Sequence, residues 1–126
     1  MNSVFQYTHD GVTQYADALK VRRILLNKTD GRAWTYIRDL AATKDAKELI
    51  DKETENEDGS PVTPEQREAR HAIARVQIAN LEGILATAAI EAFEFAPFNP
   101  EDGSGCTELD ALILLQQYME FAAGKD

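Results

Sequence analysis

Residues 99–110, Asn-Pro-Glu-Asp-Gly-Ser-Gly-Cys-Thr-Glu-Leu-Asp, crowd oxygen donors and glycines in front of an apolar run. Calcium is the first chemistry such a stretch raises. An EF-hand loop takes oxygen ligands at positions 1, 3, 5 and 12 and needs glycine at 6. With Gly105 at the glycine position, Asp102 and Ser104 fall where ligands belong, but Pro100 and Ala111 occupy the first and last ligand positions. The frame running from Asn99 to Asp110 loses the glycine and shortens the final carboxylate. Helix-start chemistry fits better: a Gly-rich turn from which Thr107 and Asp110 form a capping box.

Cys106 and two histidines are the other reactive groups. A thiolate is favoured beside a helix N-terminus, yet Asp102, Glu108 and Asp110 surround Cys106 in sequence and oppose a further negative charge. His9 reads as a turn residue and His71 as a solvated side chain on a polar helical turn. Together they lack the His-Glu-x-x-His spacing of a metalloenzyme helix. No Gly-rich phosphate loop occurs. The residues thus supply no catalytic set, no cofactor-binding set and no metal-ligand set, and the expectation is a protein that is not an enzyme and takes no cofactor.

Charge offers a different kind of site. The net charge is −9, but residues 17–38 hold six basic side chains against two acids, whereas residues 91–126 hold eight acids against Lys125 alone. Lys20, Arg22, Arg23, Arg32 and Trp34 form a candidate interaction surface, suited to an acidic protein or to a copy of the same chain. Nucleic-acid binding through residues 20–36 is the alternative, with Trp34 and Tyr36 as stacking platforms. The overall acidity opposes it, since it repels phosphate.

Those residues need elements to carry them. Two Val/Phe/Tyr/Thr-rich runs around Asp10-Gly11 predict a hairpin over 3–15, because both central turn positions want positive φ. A basic helix follows, with Asp17 at its start, a stop between Asn27 and Gly31, and Val21, Ile24 and Leu25 on one face. Trp34, Ile37, Leu40 and Ala41 share a stripe of the next helix, and Leu49 with Ile50 either continue it or form a short one of their own. Residues 54–62 are acidic with almost nothing to bury, which predicts a mobile loop. Thr63-Pro64-Glu65-Gln66 then opens a long central helix over 64–95. From Ile78 on, that helix has little polar face and is expected to be buried. A Pro/Gly-rich break leads to a C-terminal helix over 107–123, with Leu112, Leu115, Met119 and Phe121 as its apolar stripe. No internal repeat is evident.

One domain of 126 residues, 44% apolar and 28% charged, is large enough to bury a core without staples. A single cysteine excludes an internal disulfide and fits a reducing compartment. The first residues have no apolar h-region, so a cytoplasmic, membrane-free protein is expected. No small-molecule substrate is evident.

Two stretches, Gly11–Leu26 and Pro97–Phe121, resemble segments of small acidic proteins encoded in phage-derived gene clusters, the tail or head accessory and assembly proteins. The resemblance covers about a third of the chain and rests on turn and cap residues. It implies an assembly role with no catalytic residues to carry over. The expectation is therefore a mainly α-helical bundle with a short N-terminal hairpin, acting as a non-enzymatic protein-interaction or assembly module that self-associates or binds a protein partner.

Overall fold

The computed structural model of the chain describes residues 3–124. These form a two-stranded antiparallel hairpin, β1 (Val4–His9) and β2 (Val12–Asp17), then helices α1 (Ala18–Lys28), α2 (Ala33–Ile50), α3 (Pro64–Ala92) and α4 (Glu108–Ala123). The chain is mainly α with a short hairpin. Its residues gather into two compact units. The first holds the hairpin, α1, the end of α3 from Gly83 on, and α4; the second runs from Trp34 to Glu82.

In the first unit, the hairpin closes through a two-residue loop between His9 and Val12. Asp10 and Gly11 both take positive φ, 52° and 74°, as a type I′ turn demands. Asp17 ends β2 and caps α1, its carboxylate accepting from the backbone N–H of Leu19 and Lys20. α1 buries Ala18, Val21 and Leu25 while Leu19 faces outward. It stops where Gly31 turns left-handed and donates back to the Leu26 carbonyl.

A lone hairpin is marginal in water, so β1 must dock. Phe5 and Tyr7 are buried, and the Phe5 ring meets Phe93, Tyr118 and Phe121 with centroids 5.0–5.8 Å apart. On the edge of β1, the Gln117 side chain plays the part of a missing strand. Thr8 N–H donates to Gln117 Oε1 at 2.8 Å, and Gln117 Nε2 donates to the Thr8 carbonyl at 2.9 Å. The buried face of α4 is Ala111, Leu114, Leu115 and Tyr118. The stripe expected from the sequence is therefore turned, with Leu112 and Met119 at its margin, because the aromatic cluster on Phe5 draws Tyr118 inward.

In the second unit, α2 runs unbroken to Ile50, which is buried, while Leu49 faces out. The acidic connection folds on itself. Asn56 donates to Gln66 Oε1 and accepts from Arg70, and Arg70 also pairs with Glu53 at 2.7 Å. Thr63 and Gln66 complete the capping box of α3 in both directions.

A repeat does exist, at a scale the hydrophobic pattern does not show. Glu57-Asp58-Gly59-Ser60 with Thr63 recurs as Glu101-Asp102-Gly103-Ser104 with Thr107. In each copy the aspartate Oδ1 accepts from the serine N–H and Oγ, and the threonine opens a helix. The copies diverge at the following position. Gln66 closes its box; Asp110, one methylene shorter than glutamate, caps nothing in return and directs its carboxylate toward His9.

Of the glycines, Gly105 has the closest surroundings. Its φ is +89°, and a Cβ there would lie 2.1 Å from the Pro97 carbonyl oxygen. Gly103 has a similar φ but open space around it. Gly105→Ala is therefore expected to cost well over the roughly 1–2 kcal/mol of a left-handed non-glycine residue, and Gly103→Ala about that amount alone. Equal losses in a denaturant titration would refute this account of the loop.

Candidate functional site

Where the hairpin tip meets the start of α4, the first unit gathers a cluster of three ionisable groups. β1 ends at His9, the turn presents Asp10, and the first turn of α4 presents Asp110. The His9 ring lies against Phe95, centroids 4.6 Å apart, and its side chain is 14% exposed. Nδ1 stands 3.8 Å from Asp10 Oδ2 and Nε2 stands 3.9 Å from Asp110 Oδ2. Both distances allow ionic attraction but exceed hydrogen-bond length. Nε2 is shut off from solvent and has no hydrogen-bond partner. Among the described residues, neither carboxylate is paired with a lysine or arginine.

Cys106 borders the same corner. It is 1% exposed, its backbone N–H donates to the Ala96 carbonyl, and its thiol lies 3.6 Å from the Thr107 carbonyl. Burial pushes the thiol pKa up, and the charges of Asp110 and Asp10 push it further. A group so placed is a poor nucleophile at neutral pH. Sequence spacing alone could not pair His9 with Asp110, a hundred residues on; the signal was the short Asp at the position where a capping box wants Glu or Gln.

The loop that resembles a calcium site spends its donors internally. Asn99 Oδ1 accepts from Glu101 N–H, and Asp102 Oδ1 is held by Ser104. Those serine hydrogen bonds lower the Asp102 pKa, and Ser60 does the same for Asp58.

The basic candidates scatter. Lys20 is paired with Glu94 at 2.6 Å and Lys28 with Glu91 at 2.8 Å. Arg22, Arg23 and Arg32 are exposed. Trp34 is half-buried and belongs to the second unit, whereas the four basic residues of the candidate surface belong to the first.

A surface that charge patterning does not reveal lies on α3 in the second unit. Ala69, Ala72, Ile73, Val76 and Ala79 are all exposed, and their spacing puts them on one helical stripe. Ile73 and Val76 are each 60% exposed. Beside them a cavity of about 410 Å³ opens between α2 and α3, lined by Ala42, Ala46, Ile50, Ile73, Ala74 and neighbours. By length and composition α3 can also cross a membrane, and only 28% of its most apolar 18-residue window is buried. The sequence predicts burial of this helix from Ile78 on; burial begins in earnest only at Leu85. Before that point α3 has α2 as its helical partner within the second unit, which covers one side only.

Compared with protein-family models, curated proteins and solved structures, the chain matches none.

Two outcomes follow from this geometry. Cys106 in the native chain is expected to react with a disulfide reagent slower by about 10²-fold or more than in denaturant, because reaction must wait for local opening; comparable rates would contradict its burial. Asp102, with its folded pKa below the unfolded value, contributes stability above the ordinary carboxylate range that is lost as pH falls through the depressed value. Ser104→Ala is expected to return the Asp102 pKa toward normal in a carboxyl-carbon NMR titration, and an unmoved titration would exclude Ser104 as the cause.

Proposed function

We propose that the protein is a non-enzymatic interaction module that self-associates through the exposed apolar stripe of α3. The supporting observation is the exposure of Ile73 and Val76 on a helix whose apolar side continues through Ala69, Ala72 and Ala79. An isolated exposed aliphatic side chain is ordinary, whereas a contiguous stripe at i, i+3, i+4 and i+7 is the pattern by which helices recognise helices. Small alanines flanking the branched residues let a second helix approach closely. A two-fold arrangement sets the same stripe against itself, each residue used once on either side.

Membership of a phage-derived assembly apparatus is compatible with this mode of action and rests on the turn and cap residues quoted above. Nucleic-acid binding has less support, because Lys20 and Lys28 already face glutamates.

Ile73→Glu with Val76→Glu is the direct test. Both side chains are exposed, so the thermal midpoint of the monomer is expected to move little, within about 0.5 kcal/mol per site. Sedimentation equilibrium on the wild-type chain is expected to show concentration-dependent association that weakens at least about tenfold in the double variant, which corresponds to about 1.4 kcal/mol. A wild-type chain that stays monomeric into the millimolar range, or a double variant that associates equally well, would remove the proposal.

A further inference from the structure

We infer that His9, Asp10 and Asp110 form a binding site for a divalent transition-metal ion of the zinc type, joining the hairpin tip to the first turn of α4. One ligand atom from each residue lies within 4.8 Å of the other two. The donors come from two elements a hundred residues apart, so their meeting is a product of the fold and not of a local acidic run.

Three features favour an ion over a simple charge pair. First, the His9 Nε2 atom is buried and has no hydrogen-bond partner, an arrangement that leaves a polar group unsatisfied. Second, that nitrogen stands 3.9 Å from Asp110 Oδ2, too far to share a proton well. Two ligands on a tetrahedral ion with bonds of about 2.0–2.2 Å sit about 3.4 Å apart, so the His9–Asp110 pair needs a closure of about half an ångström, while Asp10, which stands 3.8 Å from Nδ1, must turn toward Nε2 to join them. Third, the two carboxylates have no lysine or arginine partner among the described residues, so their negative charges converge on the imidazole uncompensated.

The donor set selects the class of ion. An imidazole nitrogen with two carboxylate oxygens suits zinc, cobalt or manganese, while calcium seeks six or more oxygens. Asp10 is 77% exposed at the turn tip and is free to swing inward. Asp110, by contrast, is half-buried and held by its place on α4. The Phe95 ring fixes the imidazole plane. Three protein ligands leave a fourth position for water or for a donor from a partner. The site stands independently of the α3 stripe.

Isothermal titration of the full chain with zinc chloride tests this, with visible absorption of the cobalt-substituted protein as the spectroscopic readout. The expected result is one site per chain, weakened at least about tenfold by His9→Gln and by Asp110→Asn. His71 also meets a carboxylate, Asp51, at 2.9 Å, so His71→Gln serves as the control and should bind as the wild type does. Should Asp110→Asn unfold the start of α4, Asp10→Asn at the exposed tip carries the same test, with several-fold weakening expected. Zinc binding that is absent up to millimolar concentration, unchanged by His9→Gln, or abolished by His71→Gln alone would overturn the inference. So would calcium or magnesium binding as tightly as zinc without dependence on His9, since that reports only the acidity of the chain.

Discussion

The first unit depends on one constraint: two strands alone cannot hold a hairpin in water, so β1 must be completed by something else. The primary amide of Gln117 completes it. An amide side chain carries the same donor and acceptor as a peptide group, and here both are used on Thr8. Beneath that clasp the Phe5 ring settles among Phe93, Tyr118 and Phe121, where edge-to-face and tilted contacts add to plain area burial. Once β1 is seated on α4, the turn at Asp10 and Gly11 has only one place to go, which is beside Asp110. The convergence of imidazole, two carboxylates and the buried thiol is a by-product of that docking.

Local chemistry was legible in the sequence wherever a residue's own backbone preference decides. Asp10-Gly11, Asp17, Gly31 and the Thr63–Gln66 box each act within five residues, and each stands where its chemistry places it. The less legible features depend on partners distant in sequence. Periodicity identifies α3 as apolar but cannot say how many neighbours cover it; sustained burial starts at Leu85, and before that Ala74 is buried while Ile73 and Val76 stand exposed. The α4 stripe was turned for the same reason, because Tyr118 answers to Phe5 across the chain. His9 is the sharpest case. In sequence it is a turn residue with an acidic neighbour, and nothing within reach of it foretells Asp110. The duplicated Glu-Asp-Gly-Ser turn leaves no trace in the hydrophobic pattern because it contains no hydrophobic residue.

The two copies of that turn also show how one substitution redirects a motif. Both start a helix with threonine, and both tie aspartate to serine. In the second unit the box closes with Gln66 and the acidic connection is knitted to Arg70 through Asn56. In the first unit the third residue after threonine is Asp110, and the missing reach frees a carboxylate for other work. A cap that is left half-made thus supplies one of the two carboxylates of the ionisable corner.

The bonds that assemble the first unit differ in how they respond to the solvent. Gln117 and Thr8 are uncharged, so the clasp between the hairpin and α4 is indifferent to ionic strength. α1, in contrast, is tied to the end of α3 by Lys20–Glu94 and Lys28–Glu91, both open to water and therefore screened. Concentrated salt consequently weakens the lysine–glutamate seam, worth about 1 kcal/mol or less per pair, and spares the amide clasp, while buried Val21 and Leu25 keep the basic helix anchored in brine.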